Sequence, residues 1–309
     1  MEEIRVYAPV MIPTLNRYKH LKACVESLAR CSGADKTELY ISVDYPPTDK
    51  YREGYQDVLD YVNSGIKGFK EVHIYIQEKN LGIGNFKFLR EIITTKYDRL
   101  ILTEDDNVFS PCFLEYINKG LEKFKDNSRV WGICGYNYPI DMPQSYCEKF
   151  NYYFSREYSA WGVGYFIEKL KTKNTLNSVD YGKKILKKYW SQLTWVARRM
   201  LIDSIKKNKF PGDLYRTLYQ IDNDMYCVFP TENLVVNKGH DGSGINCGNS
   251  AQDRFAIQHQ SNESHFDYRG NPALSENKSI RKVLNNYFNI PFKSKVRILL
   301  VRLSNCFNK

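Results

Sequence analysis

Three adjacent carboxylates, Glu104, Asp105 and Asp106, directly follow the apolar letters RLIL. Carboxylates held side by side repel one another, and a fold that keeps them together usually offsets the repulsion with a cation, often at a strand end. A solvated acidic turn is the alternative. The residue types therefore predict either a divalent metal site or an acidic surface turn, and the surrounding elements must decide between them.

Strand and helix patterns alternate through the part of the chain that contains these carboxylates. Apolar, β-branched runs predict strands over residues 7–16, 38–47, 72–77 and 99–106, and apolar residues at helical spacing predict helices over 17–30, 51–65 and 85–96. Strands that alternate with helices over about 105 residues imply an α/β fold with a mainly parallel central sheet and helices on both faces.

A polar cluster follows each of the four predicted strands. PTLNR follows the first, Asp44 ends the second, EKNLGIGN follows the third, and the three carboxylates follow the fourth. In open α/β sheets the ligand crevice lies beyond the carboxyl ends of the strands. Four strand ends converging on one crevice favour a binding site over an isolated acidic turn.

The composition limits the class of protein. The chain has 309 residues, of which 42% are hydrophobic and 26% charged, which is typical of a globular protein with one large or two intimate domains. The opening letters lack a long apolar stretch, so we expect neither a signal peptide nor a membrane span there, and a cytoplasmic location. The eight scattered cysteines are predicted to be reduced.

The pattern changes after about residue 130. The segments 130–139 and 150–166 are rich in Gly, Tyr and Trp, which suits a sugar-binding surface, although Trp131 and Tyr153 are better explained as core residues. Residues 180–208 predict one or two basic helices, and 228–247 predict a short strand that runs into a polar, glycine-marked loop. We therefore predict three parts, 1–128, 129–260 and 261–309.

The motifs PVMIPTLNR, SVD, EKNLGIGN, LTEDD, WGVGYF and NLVVNKGHDGSG occur in this order. Together they resemble the GT-A glycosyltransferases, in particular the family 2-like enzymes, and the acidic motif and late loop are also similar to the inverting N-acetylglucosaminyltransferase I group. The resemblance covers residues 6–255 and is more specific in the first half. The second half of the chain lacks the Gln-x-x-Arg-Trp signature of processive synthases, and this absence favours an enzyme that adds a single sugar.

The resemblance implies a nucleotide-sugar donor, most plausibly a UDP-sugar, held by the first half. It assigns nucleoside or sugar-nucleotide contacts to Pro13, Thr14, Arg17, Asp44, Asn80, Gly82, Asn85, Glu104 and Asp105. Asp106 is the expected direct ligand of Mn²⁺ or Mg²⁺, since hard cations prefer carboxylate oxygens and substrate phosphates. His240 completes the metal shell or is solvated, and Lys238 lies near the leaving diphosphate or in solvent.

The catalytic base must come from the second half of the chain. Asp213, Asp222, Asp224 and Asp241 compete for the role. The resemblance favours Asp213, with Asp241 as a further catalytic candidate. Because Asp213 follows Pro-Gly, it is equally well explained as the N-cap of a helix.

Net charge is +10, and the last stretch, residues 289–309, contains basic and apolar residues but no acidic one. Residues 292–309 are too short and too charged to span a bilayer, but a basic amphipathic helix can lie on an anionic membrane surface. A packed helix with a basic face is the alternative. If the membrane interpretation holds, the acceptor is a lipid-linked glycan, and the enzyme lies on the inner face of the cell membrane.

Two other classes compete with a glycosyltransferase of the hexosyltransferase type acting in surface polysaccharide synthesis. A nucleic-acid-binding protein predicts aromatic and basic residues interleaved on a sheet face, whereas the predicted strands here are apolar, so we expect no nucleic-acid partner. A sugar-phosphate nucleotidyltransferase predicts a glycine-rich basic loop near the N-terminus, and PTLNRYKH is not one.

Overall fold

The computed structural model describes residue 4 and residues 6–170, 178–242 and 258–303. The first part of the chain alternates strands and helices as the sequence predicts. The elements are β1 (Val10–Thr14), α1 (Tyr18–Ala29), β2 (Glu38–Val43), α2 (Arg52–Asn63), β3 (Glu71–Ile76), α3 (Ile83–Thr94) and β4 (Arg99–Leu102). The predicted fourth strand ends at Leu102, so all three carboxylates lie beyond its end.

The second part mixes short strands with helices. In chain order the elements are β5 (Asn107–Phe109), α4 (Phe113–Lys123), β6 (Val130–Cys134), α5 (Gln144–Cys147), β7 (Tyr152–Ser155), β8 (Val163–Phe166), α6 (Ile167–Leu170), α7 (Val179–Lys188), α8 (Trp195–Lys207), α9 (Gly212–Asp222), β9 (Tyr226–Pro230), β10 (Val235–Asn237), α10 (Lys278–Tyr287) and α11 (Phe292–Leu303). The basic stretch predicted over 180–208 therefore forms two helices, α7 and α8.

Eight strands form one continuous sheet in the order β3-β2-β1-β4-β8-β6-β9-β7. β3, β2, β1 and β4 are parallel, and β6 and β9 run in their direction, while β8 and β7 run in the opposite direction. Helix α3 contacts β1 and β2, and α4 contacts β6 and β8. The predicted α/β fold with a mainly parallel sheet flanked by helices is thus confirmed.

Pro13 is tolerated in the interior strand β1 because the pairing between β1 and β4 stops before it. β1 pairs with β4 only at Val10 and Met11, so Pro13 comes after the last partner on that side. A residue without an N–H is tolerated where a strand has no ladder to complete. The end of β1 is thereby left open toward the crevice.

The main hydrophobic core runs through the whole sheet. It includes residues from the predicted parts 1–128, 129–260 and 261–309, for example Ile12, Val228 and Leu284, each at most 1% exposed. Trp131 and Tyr153 are buried in it, as expected. A second cluster joins α7, α8, α9 and α11 and contains Ile298 of α11 and Leu201 of α8. The six cysteines within the described residues are free, and Cys247 and Cys306 lie outside them.

Candidate active site

The acidic trio lies beyond β4 and is attached to the end of β1. Asp105 is buried, and its carboxylate accepts a 2.8 Å hydrogen bond from Thr14 Oγ1 and forms an ion pair with Arg17. Arg17 stands directly before α1, and its Nη1 also lies 2.7 Å from Asp106 Oδ2. One guanidinium therefore bridges two of the three carboxylates and connects two strand ends.

Burial lowers the pKa of Arg17, but the charges of Asp105 and Asp106 outweigh it and raise that pKa above its ordinary value. The side chain of Arg17 is 21% exposed, so it lies at the floor of the crevice rather than inside the core. Its positive charge holds the two acidic side chains together.

Asp106 is also held by the loop after β10. Asn237 Nδ2 donates to Asp106 Oδ1 at 2.7 Å and to Asn107 Oδ1 at 3.0 Å, and the backbone N–H of Lys238 donates to the Asp106 carbonyl at 2.7 Å. A Cβ on Gly239 would come within 2.3 Å of Asp106 Oδ2, so only glycine fits there. β5 begins directly after Asp106, and β10 ends directly before Lys238. The pairing of these two strands therefore brings the late loop onto the acidic trio.

Glu104 has the most open carboxylate of the three. Its side chain is solvent-accessible, yet the crevice walls desolvate it, and desolvation followed by the charges of Asp106, Asp213 and Asp105 raises the pKa of Glu104 to about 8. Among the described residues, no donor contacts its carboxylate oxygens. A carboxylate in these surroundings gains from a nearby cation.

Asp213, from the second half of the chain, lies close enough to the trio for its charge to raise the pKa of Glu104. It is the second residue of α9, and Pro211 holds the N-cap position, so the N-cap interpretation of Asp213 is wrong. The side chain is 58% exposed, and Arg216 Nη1 lies 3.9 Å away. Desolvation by the crevice walls raises the pKa of Asp213 and Arg216 lowers it, with a net rise.

Asp213 also lines a cavity of about 370 Å³. Aromatic side chains form much of the wall, together with residues of α8 and the buried Glu157; the lining includes Tyr136, Tyr138, Glu157, Tyr158, Trp161, Thr194, Val196, Met200, Asp213 and Phe288. A second cavity of about 460 Å³ shares Tyr136 and Tyr138 with the first and is otherwise mostly polar. Asp213 thus belongs to the wall of an aromatic chamber that has a polar cavity beside it.

His240 follows Gly239 and lies between the trio and the chamber. Its ring meets the ring of Trp161 edge to face, with centroids 5.6 Å apart. Asp241 is exposed, and its Oδ2 lies 3.0 Å from His20 Nε2 on α1. Of the other candidate bases, Asp222 pairs with Lys184 at 2.7 Å and Asp224 pairs with Arg129 and Arg156.

Asp44, Asn80, Gly82 and Asn85 form the wall on the β2 and β3 side. Asp44 is 5% exposed and accepts hydrogen bonds from the backbone N–H groups of Leu81 and Gly82 at 2.8 Å each and from Asn80 Nδ2 at 3.2 Å. Asn85 is buried; its Nδ2 donates to the Ser42 carbonyl at 3.0 Å, and its Oδ1 accepts from Ser42 Oγ at 2.5 Å. These side chains hold the loop before α3 in place. Direct contacts between them and a nucleotide-sugar donor remain predictions.

The predicted residues thus fall into three groups. Arg17, the trio, Asp213 and His240 gather around the crevice, with Thr14 and Pro13 at its base. Asp44, Asn80, Gly82 and Asn85 form its side, and Asp241 lies beside α1. Three residues of the site were not predicted, although the first two stand inside the motifs NLVVNKGHDGSG and WGVGYF: Asn237, Trp161 and Arg216.

A different group of metal-ligand types lies at the opposite edge of the sheet. Glu38, Glu71 and His73 place three ligand atoms within 4.8 Å of one another. They stand at or near the amino ends of β2 and β3, and Glu38 already accepts from Lys70 Nζ at 2.8 Å. This group is separate from the crevice.

No protein-family model matches the chain, and no curated protein matches it. Among solved structures, the chain is similar to S. aureus TarS 1–349 (15% identity, TM-score 0.39, 74% of this chain and 60% of that chain) and to a longer S. aureus TarS structure (20% identity, TM-score 0.31, 47% and 25%). It is also similar to the mannosyltransferase PcManGT from Pyrobaculum calidifontis in complex with GDP-Man and Mn²⁺ (12% identity, TM-score 0.38, 70% and 69%). The chain spans 25% and 60% of the length of the two TarS structures.

Proposed function

We propose that the chain is a metal-dependent inverting glycosyltransferase that transfers a sugar from a nucleotide-diphosphate donor, most plausibly a UDP-sugar, to a glycan acceptor. Because every TM-score above is below 0.5, the proposal is drawn from the chain's own residues. The observation that carries it is the acidic trio held beyond β4 by Arg17 and Asn237, with Asp213 close enough for its charge to raise the pKa of Glu104.

The oxygen ligands that the crevice offers suit a hard divalent cation. Glu104 presents a carboxylate that no donor among the described residues contacts, and Asp106 presents one held in place by Asn237. Carboxylate oxygens of this kind, with His240 nearby, are ligands for Mn²⁺ or Mg²⁺. When bound, such a cation neutralises the negative charge that grows on a leaving diphosphate.

Asp213 is placed to act as the general base. Its carboxylate is accessible, lies at the junction of crevice and chamber, and has a raised pKa, which suits proton uptake from an acceptor hydroxyl near neutral pH. Inversion requires the base and the leaving group on opposite faces of the sugar, which matches a base on α9 and a diphosphate site beyond β4. Arg216 keeps the carboxylate on the chamber side.

The acceptor site is the aromatic chamber. Trp161 is only partly buried and offers a ring on which a pyranose can stack, while Tyr136 and Tyr158, 1% and 5% exposed, form part of the wall that excludes water from the reacting atoms. The polar second cavity, which shares the lining residues Tyr136 and Tyr138 with the chamber, extends the proposed acceptor site and gives room for further sugars of a glycan chain. A single-sugar acceptor would leave that extension unused.

Peripheral membrane contact is the second part of the proposal and rests on α11. Phe292, Val296, Leu299 and Leu300 are 77%, 39%, 39% and 62% exposed and recur at helical spacing on one face, while Ile298 is buried against α8. Basic residues flank the exposed stripe, and the helix has no acidic residue. Among the described residues, no helix has the length and apolar character needed to cross a bilayer. The stripe fits an anionic lipid surface, and a lipid-linked glycan is the acceptor that such a surface would present.

The test combines calorimetry with product analysis. We expect a nucleoside diphosphate sugar to bind with Mn²⁺, Asp106→Asn to abolish the metal-dependent part of binding, and Asp213→Asn to keep donor binding but lower turnover roughly 100-fold or more. Asp222→Asn, at the other end of α9, is the matched control and should be near normal. Release of pyrophosphate instead of nucleoside diphosphate, or normal turnover of Asp213→Asn, would overturn the proposal.

A further inference from the structure

Trp190, which lies between α7 and α8, and Trp195, the first residue of α8, collect three basic side chains. Trp190 and Trp195 meet edge to face with ring centroids 6.3 Å apart. The Arg198 guanidinium lies 4.5 Å from the Trp190 centroid and 4.4 Å from the Trp195 centroid. Arg302 lies 4.3 Å from Trp190, and Lys295 Nζ lies 5.3 Å from Trp195. We call Arg198, Lys295 and Arg302, with the two rings, the cation cluster.

Within the described part of the chain, the cation cluster lacks a compensating negative charge. None of its three basic side chains forms an ion pair with a carboxylate there, and Arg198 Nε and Nη2 donate to the Trp190 carbonyl, at 3.2 and 3.0 Å. Burial, followed by the charges of Arg281 and Arg302, lowers the pKa of Arg198 to about 10. Arg281 is itself paired with Glu157 and Glu276. Like charges gathered in this way indicate a site for an anion.

The cation cluster lies along the edge of the apolar stripe of α11. At 100° per residue, Lys295 and Arg302 fall between buried Ile298 and exposed Leu299, and Lys293 and Arg297 fall on the opposite side of the stripe. Tryptophan rings and basic side chains that stand beside an exposed apolar face are typical of protein segments that lie at the level of the lipid headgroups. A free anion in water would not account for the adjacent stripe.

The cation cluster is also one helix away from the chamber. Val196 and Met200 of α8 line the chamber, while Trp195 and Arg198 of the same helix belong to the cation cluster. A lipid phosphate bound at the cluster would therefore sit close to the place where the acceptor glycan is proposed to enter.

We propose that Arg198, Lys295 and Arg302 form a binding site for the phosphate of an anionic lipid headgroup, with Trp190 and Trp195 as its floor. The site rests on the proposed membrane contact of α11 and gives that contact a specific ligand. Guanidinium groups bind phosphate oxygens with two parallel hydrogen bonds, which Arg302 can offer, so arginine rather than lysine should dominate the recognition. Arg198, whose Nε and Nη2 donate to the Trp190 carbonyl, contributes its charge and its Nη1.

The experiment compares two charge-matched double variants in vesicle sedimentation at physiological salt. Arg198→Gln/Arg302→Gln removes two charges from the cation cluster, and Lys293→Gln/Arg297→Gln removes two from the opposite flank of the stripe. With phosphatidylglycerol-containing vesicles we expect the cluster variant to lose about tenfold or more in partitioning, several times more than the flank variant, because only the cluster combines guanidinium with an aromatic floor. Phosphatidylcholine vesicles should bind the wild type weakly.

The other outcomes are distinct. Equal losses of vesicle partitioning in the two variants would show diffuse electrostatic attraction instead of a specific site and would overturn the proposal. A wild type that does not bind anionic vesicles would also overturn it. Inorganic phosphate that binds the wild type as tightly as the vesicles do, and is lost in the cluster variant, would identify a free-phosphate site and overturn the lipid assignment. Thermal unfolding and calorimetric donor binding are measured for both variants, so that a folding defect or a failure of the glycosyltransferase proposal is seen separately.

Discussion

At the scale of single residues, Arg17 shows how the crevice balances its charge. One guanidinium holds Asp105 and Asp106 together, while Glu104 and Asp213 are left to repel one another with raised pKa values. The crevice therefore has more negative charge than Arg17 neutralises. This imbalance favours the entry of a divalent ion, with which Arg17 competes for Asp106.

Replacing Arg17 should therefore strengthen metal binding in the absence of nucleotide. Arg17→Met removes the competing positive charge beside Asp106, and we expect Mn²⁺ to bind about tenfold more tightly, which corresponds to about 1.4 kcal/mol. Isothermal titration with Mn²⁺ alone measures this. Arg30→Met, at the exposed far end of α1, should leave the affinity unchanged. Weaker Mn²⁺ binding by Arg17→Met would show that the guanidinium supports the site instead of competing for it.

Some residue roles follow from sequence and others do not. The trio could be selected because three adjacent carboxylates beyond a strand repel one another unless a cation is near. Asp44 is predicted to bind base or ribose, yet its carboxylate accepts from backbone groups 37 and 38 residues further along the chain. Such a partner is invisible in a linear pattern. Asn237 escaped prediction for the same reason, since its amide reaches Asp106 across 131 positions.

At the scale of elements, the loop between β3 and α3 forms the wall of the crevice through a strained turn. Gly82 precedes α3 with φ +53° and ψ −122°, a conformation that residues other than glycine disfavour. Its N–H and that of Leu81 both donate to Asp44. The turn and the buried carboxylate therefore stabilise each other.

Substitution of this glycine should cost stability and disturb the wall. We expect Gly82→Ala to lower the free energy of unfolding by about 1–2 kcal/mol, because alanine is strained at positive φ. Gly84→Ala, inside the first turn of α3 and without a positive φ, should be neutral or slightly stabilising. Urea denaturation measures the free energy of unfolding of the two variants. A larger loss for Gly84→Ala than for Gly82→Ala would contradict the role given to Gly82.

β1 to β4 and the helices between them were predictable, whereas in the second half the sequence indicated only the helices over 180–208 and a short strand near 228. β1 to β4 are parallel, are separated by helices and have strong apolar patterns, so their spacing reveals them. β6 to β9 are only four or five residues long, and β8 inserts between β4 and β6 against chain order. Short strands with non-sequential neighbours leave no periodic signal, which is why Trp161 and the chamber could not be located from the sequence.

At the scale of the whole molecule, a single sheet and core join the first half of the chain to the second. β4, from residues 1–128, pairs with β8, from residues 129–260, over four residue pairs. α10 buries Ile280 and Leu284 in the same core. Strand pairing therefore fixes Glu104 relative to β8, while Asp213 is carried by α9, whose Leu214 and Leu218 belong to the second cluster.

The predicted first part should therefore not fold alone. A fragment of residues 1–128 would expose the buried edge of β4, including Leu100 and Ile101, and lose much of the core around it. We expect circular dichroism and thermal scans to show no cooperative unfolding for the fragment, with the full chain as the control. A sharp transition would show that the donor side is an independent domain.

The direction of β8 has a practical consequence. Because β8 runs against β4, with Val163 opposite Leu102, the chain enters β8 at the carboxyl edge of the sheet, and the preceding segment 156–162 brings Tyr158 and Trp161 there. A parallel strand would deliver the same segment to the far edge. On the proposed function, grafting that one short connection should alter acceptor choice and leave the strand ladder untouched.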